Sequence, residues 1–376
     1  MFHIPLSRSL IAAALVAAAS PFVNAASFVN VSPHPDLAAL RPVASAEPLF
    51  SPRVDTPPEL VLSFVPPPAP APVPIAAAPI VYTDIWERIR AGFGVNDLQL
   101  KEVSEAQDWY AKRPELVSNI LQRSRYYLYH IVDEVEKRGM PTEIALLPFV
   151  ESGFNPRALS SAQALGLWQF IPETGTKYKL DQNHVYDARR DIIASTTAAL
   201  DYLQFLHGLF GDWQLALAAY NWGEKAITLA IERNHARGVS TDFANLILPR
   251  ETRNYVPRLL AVKQLVISPT RFGVTLPRID NDPYFVAVAM PPGVDLKEAA
   301  RLADMDAAEF EILNAAYLQP HQHSSPMRAM IRVDKITGFF ERAREFIQKT
   351  EFRRASQAAG AAKRSKPAAT TCCQRR

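Results

Sequence analysis

Glu151 closes a strongly apolar run, Leu146-Leu147-Pro148-Phe149-Val150, and is the residue of this chain best placed for acid chemistry. Burial among such neighbours strips water from a carboxyl group, disfavours its ionised form and raises its pKa. A general acid working near neutrality needs that shift. The simpler assignment is a solvated glutamate at a helix end, where most glutamates stand. The segments downstream tilt the balance: Gly166-Leu167-Trp168-Gln169, Ala219-Tyr220-Asn221 and Glu251-Thr252-Arg253-Asn254-Tyr255-Val256-Pro257 follow Glu151 in order.

Helices must hold these residues. Ile85, Ile89 and Phe93 recur at four-residue spacing, and Leu116, Ile120, Leu128, Ile131, Val132 and Val135 trace an apolar face through a long segment ending at Gly139. A helix restarts at Met140-Pro141-Thr142-Glu143, with Pro141 suited to its first turn. Pro148 then removes a backbone donor and is expected to bend that helix, leaving Glu151 on a distorted final turn. Further helices are expected at residues 191–210, 212–220, 224–232 and 252–265, with Asp191 and Asp212 as N-caps and Gly211 and Gly223 as breaks. No alternating strand pattern of useful length interrupts them, so residues 82–275 read as one mainly α, helical domain. From 276 to 350 the pattern changes to a strand (284–289), two short helices (295–303 and 306–316) and a second strand (328–333), a small β-α-α-β unit in one copy.

Composition sets the frame. The 376 residues are 48% hydrophobic with a formal charge of +3, which describes a globular chain with room for a large core and gives no reason to expect nucleic acid. Excess Lys and Arg gather in residues 351–376, read as a basic disordered tail. Residues 1–26 have the order of a secretory signal, with Arg8, an apolar run from Leu10 to Ala19, and Val23-Asn24-Ala25-Ala26 as cleavage region. Export to the periplasm is the expectation, with an uncleaved N-terminal anchor as the alternative. Residues 27–81, including Pro66-Pro67-Pro68 and Ala69-Pro70-Ala71-Pro72-Val73-Pro74, read as an extended disordered linker. Cys372 and Cys373 are adjacent, which strains a mutual bridge, so the folded part is expected to be stable without disulfides. His184, His207 and His235 are scattered and no His-Glu-x-x-His occurs, so neither metal nor other cofactor is expected.

Four segments, Glu151-Ser152-Gly153-Phe154-Asn155-Pro156 and the three that follow it, with Arg138-Gly139-Met140-Pro141 before them, resemble the family 1 lytic transglycosylases of the membrane-bound murein transglycosylase D type, over residues from about Trp86 to Arg271. The resemblance implies a goose-lysozyme-like fold that cleaves the β-1,4 bond between N-acetylmuramic acid and N-acetylglucosamine in peptidoglycan without adding water. Glu151 would protonate the leaving oxygen and then act as base on the C6 hydroxyl of muramic acid, leaving a 1,6-anhydro end. It also implies that Gln169 and Tyr255 lie near the acetamido group or the acid, that Ser160 contacts substrate or orients the acid, and that Tyr220 and Asn221 line the groove and brace the catalytic helix. Glycosidases generally use two carboxylates, and no second carboxylate stands at an obvious partner position in these segments. The substrate's 2-acetamido group would then steady the developing positive charge.

Plainer assignments stand beside these: Tyr220 and Trp168 as core aromatics, Ser160 as a turn residue, Ser152 as a cap, and Phe170, Tyr178 and Trp222 as packing. Trp222 departs from the family pattern, which has a small residue there. So does the rest of the chain, which shows no lipid-attachment cysteine near the signal and at most one degenerate LysM-like unit around Asp295 to Val333. A hydrolytic muramidase of the same fold and a non-catalytic peptidoglycan-binding protein are the competing readings. A helical-repeat adaptor is not, because no repeat period is present.

Overall fold

A computed structural model of the chain describes residues 81–291, 294–319 and 328–364. The signal, most of the linker, Gly293 and the Cys372-Cys373 pair lie outside these residues.

The described chain is mainly helical, as expected. Helix α1 (Ile85–Ala91) is capped by Asp84, whose carboxylate accepts the Trp86 N–H at 2.7 Å, and it buries Ile85, Trp86 and Ile89. Helices α2 (Lys101–Ala111), α3 (Pro114–Ser124) and α4 (Leu128–Lys137) follow. The single long segment expected before Gly139 is therefore two helices, turning at residues 125–127. Leu116 consequently faces solvent, while Val117, Ile120 and Leu121 carry the buried face of α3.

After a 3-10 turn (Thr142–Leu146) come the short α5 (Leu147–Glu151) and α6 (Pro172–Lys177). Then α7 (Ile192–Phe210), α8 (Trp213–Trp222), α9 (Glu224–Ala236) and α10 (Arg250–Ile267) build the centre, with α10 packed on α2 and α8, and α7 on α8. Asp191 and Asp212 cap α7 and α8 by accepting the Ala194 and Leu215 N–H groups, each at 2.8 Å. Satisfying orphan donors this way fixes where each helix begins.

Strands β1 (Phe285–Ala289) and β2 (Arg328–Arg332) pair antiparallel, Ala287 opposite Met330. Helices α11 (Leu296–Ala303) and α12 (Ala307–Leu313) lie between them in sequence, and α13 (Ile336–Arg364) follows. Leu296, Leu302, Phe310, Ile331 and Phe339 form a small second core. Two features depart from the sequence reading. α13 supplies a third helix to the unit through Phe339 and Ala343, and the tail expected to be disordered from residue 351 is helical through Arg364. The run from Glu351 to Arg364 is rich in Ala and Arg, strong helix formers that outweigh its charge.

The small unit shares the larger core. Phe285, Leu313 and Met330 pack into the same cluster as the α1–α10 helices. Asp187 N donates to Ala316 O at 2.9 Å and Leu318 N to Val185 O at 2.8 Å, while the Tyr186 and Tyr317 rings meet at 5.1 Å. Among the described residues no helix is long and apolar enough to cross a membrane.

Candidate active site

The approach to Glu151 is anchored from below. Glu143, fully buried, accepts the Gly94 and Val95 N–H groups at 2.9 and 3.0 Å and pairs with Lys263 of α10 at 3.2 Å, and Thr142 Oγ1 donates to Ile89 O. A buried carboxylate so satisfied fixes the turn that feeds α5. Pro148 does not bend a continuing helix. It stands in the first turn of α5, where its missing N–H has no intrahelical acceptor, so the proline starts the helix that ends on Glu151.

Beyond Glu151 the chain reverses through Gly153 and Phe154, both at positive φ (57° and 54°), and Phe154 N closes the turn on Pro148 O at 2.9 Å. Ser152 Oγ donates to Leu167 O at 2.9 Å and so ties this reversal to the Gly166–Gln169 loop. That loop is set by Gly166, at φ 86°, where a Cβ would come within 1.9 Å of Arg189 O. Trp168 is fully buried and its Nε1 donates to Thr196 Oγ1 at 3.0 Å, making it a core anchor. Arg189, paired with Asp187 at 2.7 Å, donates to Gln163 O and Phe170 O and clasps the same loop.

α10 enters from the other side, and the Tyr255 hydroxyl donates to Glu151 Oε1. Glu151 keeps a partly open face, yet dense protein around it pushes its pKa up to about 7. Desolvation is the main cause; the Tyr255 hydrogen bond works against it and the charge of Glu251 works with it. Tyr255 is buried and Tyr220 half-buried, and desolvation together with the nearby Glu151 charge holds both phenols well above their usual pKa, so both remain neutral donors.

The expected site residues are distributed as follows. Tyr255 touches Glu151 directly. Tyr220 stands within its electrostatic reach and donates to Trp168 O at 2.8 Å, so it connects α8 to the Gly166–Gln169 loop. Gln169, at φ 50°, spends its side-chain nitrogen on Ala158 O and Gly166 O (3.1 and 2.8 Å). Ser160 accepts the Ala164 N–H at 3.0 Å inside a tight turn, and among the described residues no hydrogen bond joins it to Glu151. Asn221 Oδ1 accepts from Thr252 Oγ1 at 2.8 Å, bridging α8 to α10. Phe170, Tyr178, Tyr202 and Tyr220 form one aromatic cluster, with neighbouring ring centres 5.1 to 6.4 Å apart.

Two residues escaped the sequence reading. Glu251 heads the fourth motif, and its charge adds to the rise of the Glu151 pKa, although no hydrogen bond joins the two carboxyl groups among the described residues. The signal was present: Glu251 lies four residues before Tyr255, one helical turn along the same face. Tyr202, which donates to Glu224 at 2.7 Å, carried no motif to find it by. Among the described residues no group of three His, Cys, Asp or Glu side chains is gathered to hold a metal ion.

The model of the transglycosylase SLT domain matches residues 129–243, which include Glu151, Gln169, Tyr220 and Asn221. Over these residues the chain is similar to the transglycosylase SLT family. The resemblance to family 1 lytic transglycosylases of the murein transglycosylase D type, carried by the four motifs, is borne out. Over 237 residues the chain is 41% identical to the membrane-bound lytic murein transglycosylase D of Escherichia coli (strain K12), covering 62% of this chain and 52% of that protein. The same figures hold for the protein of that name from Escherichia coli O6:H1. Membrane-bound lytic murein transglycosylase C of Haemophilus ducreyi is 26% identical over 171 residues, 39% of this chain and 47% of that protein. The chain thus spans about half the length of these relatives, and its SLT domain, extended by α10, holds the Glu151 site.

Proposed function

We propose that the protein is a peptidoglycan lytic transglycosylase that cleaves the bond between N-acetylmuramic acid and N-acetylglucosamine and closes a 1,6-anhydro ring on the muramic acid. The observation that carries this reading is Glu151 itself, a desolvated carboxyl with a pKa near 7, held by Tyr255 at the end of a rigid short helix. Such a group is partly protonated at neutral pH and can give up its proton and take one back.

In the first step the Glu151 proton passes to the glycosidic oxygen as the bond from it to the muramic acid C1 breaks. The electron pair leaves with the N-acetylglucosamine oxygen, and the substrate's acetamido oxygen shares the positive charge at C1. Tyr255 donates to the new carboxylate and stabilises it. In the second step that carboxylate takes the C6 hydroxyl proton while the C6 oxygen bonds to C1, restoring neutral Glu151. By family resemblance Gln169 and Ser160 would face the substrate. Their present hydrogen bonds support a different contribution, which is to hold the backbone of the loop that does.

One observation favours the hydrolytic alternative. Glu251 is exposed and within electrostatic reach of Glu151, and a second carboxylate is what a water-activating enzyme uses. No hydrogen bond joins it to Glu151 among the described residues, so transfer to C6 is the better reading. Sacculi digested with the purified protein decide it. Mass spectrometry should show muropeptides one water lighter than reducing-end products; reducing ends in their place would make the protein a muramidase.

The reading further places the protein in the periplasm, supported by the signal-like order of residues 1–26 and by relatives named as membrane-bound. The β-α-α-β order of the C-terminal unit supports a degenerate LysM-like module, with its packing into the larger core pointing to bracing as its main work.

A further inference from the structure

A hollow of about 510 Å³ opens beside α5. Phe149, Val150, Ser152 and Gly153, on either side of Glu151, form part of its wall, and α2, α3 and α10 supply the rest. Three donor groups in it lack a counterpart among the described residues. Arg258 is exposed and pairs with no carboxylate. Arg123 gives its Nε–H to Gly153 O at 2.8 Å, and its terminal nitrogens also meet no carboxylate. Tyr110 is only 6% exposed, its ring packs edge-on against Phe149 at 5.6 Å, and its hydroxyl has no hydrogen-bond partner. Burial pushes that phenol up to about 12, with Arg258 near enough to oppose the shift, so it is a neutral donor at any working pH. Trp109, stacked with Arg113 at 4.2 Å, gives the hollow a flat apolar wall, and the one acid in the lining, Glu105, is paired with Lys101 at 3.2 Å.

A surplus of buried or unpaired donors with two guanidinium groups suits a carboxylate far better than a sugar hydroxyl, because charge-assisted hydrogen bonds are the strong ones. In peptidoglycan the lactyl carboxyl of muramic acid is used up in an amide, so the negative groups belong to the peptide. We infer that this hollow receives the carboxylate-bearing peptide of the glycan strand, with Arg258, Arg123 and Tyr110 taking a carboxylate and Trp109 covering the peptide's apolar side. The inference rests on the peptidoglycan reading above and deepens it: the protein is selective for peptide-substituted strands.

The test compares kcat/KM on peptide-bearing strands with kcat/KM on strands whose peptide carboxylates have been converted to carboxamides, since removing the peptide with an amidase would free a lactyl carboxylate on each muramic acid. The wild type should prefer the former, and Arg258→Gln should cut the ratio about tenfold, the scale of one charge-assisted hydrogen bond. Tyr110→Phe, which keeps the ring packing, should lower the ratio in the same direction. A titration with a soluble stem peptide and its carboxamide should show about tenfold tighter binding of the acid by the wild type and no discrimination by Arg258→Gln. Equal factors on both strand types, or equal binding of acid and amide, would overturn the inference and make the hollow a sugar subsite. If no anhydro product came from either strand, the peptidoglycan reading would fail, and the titration would still decide whether the hollow selects a carboxylate.

Discussion

The Tyr255 hydroxyl donates to Glu151 Oε1, joining one long helix, α10, to the last residue of one short helix, α5. This bond opposes the desolvation that raises the Glu151 pKa. Both halves of the proposed cycle depend on that balance, since the group must be protonated to break the bond and ionised to close the ring.

Tyr255→Phe removes a donor that favours the charged form, so the Glu151 pKa should rise above about 7 and the high-pH limb of activity should move to higher pH. Losing the donor to the carboxylate formed in the first step should also slow turnover roughly tenfold to a hundredfold. A pH profile of muropeptide release by wild type and variant reads both.

Glu251→Gln should shift the profile the other way. The Glu251 charge disfavours ionisation of Glu151, so neutralising it lowers the pKa and brings the high-pH limb down in pH. Opposite displacements in these two variants would separate the hydrogen bond from the long-range charge. An unmoved limb in Glu251→Gln would mean that the two carboxylates do not communicate.

The site's chemistry and the fold's stability pull against each other at Glu151. Its folded pKa, about 7, lies above the ordinary value of 4.5, so the folded state binds the proton more tightly. Stability associated with this group is therefore complete below about pH 4.5 and is lost as pH rises to about 7, by roughly 2 to 3 kcal/mol. Glu151→Gln, which has nothing to ionise, should match the wild type near pH 4 and melt at higher temperature at pH 8. Thermal unfolding at the two pH values checks this.

Gly166→Ala should destabilise by at least about 3 kcal/mol, because the new Cβ would sit 1.9 Å from Arg189 O at a φ of 86°. The damage would reach activity as well, since the same loop carries Leu167 O and Trp168 O, the acceptors for Ser152 and Tyr220. Thermal denaturation measures the first effect and muropeptide release the second.

The helices of the larger part were legible because their signals are local: apolar spacing at Ile85 and Ile89, caps at Asp191 and Asp212, breaks at Gly211 and Gly223. Glu151 was legible because its apolar neighbours are adjacent in sequence. The meeting of Tyr255 with Glu151 came only through family resemblance, since they are 104 positions apart and packing brings them together. Pro148 was misplaced because a proline inside an apolar run looks the same whether it bends a helix or begins one; the preceding 3-10 turn decides. The roles of Ser160 and Gln169 blur for a related reason, because each spends its side chain on nearby backbone. The C-terminal unit gave its first strand as the short apolar run from Tyr284 to Ala289, yet nothing local announced that Phe285, Leu313 and Met330 would enter the larger core.

The account stands on Glu151 as the acid that breaks the glycosidic bond and the base that closes the ring. The direct measurement is the rate at which purified Glu151→Gln releases anhydro-muropeptides from sacculi, with its fold verified by the higher melting temperature expected at pH 8. A folded variant should lose about a hundredfold to ten-thousandfold in rate, the range for removal of a general acid and base. Release within tenfold of the wild type would contradict the account.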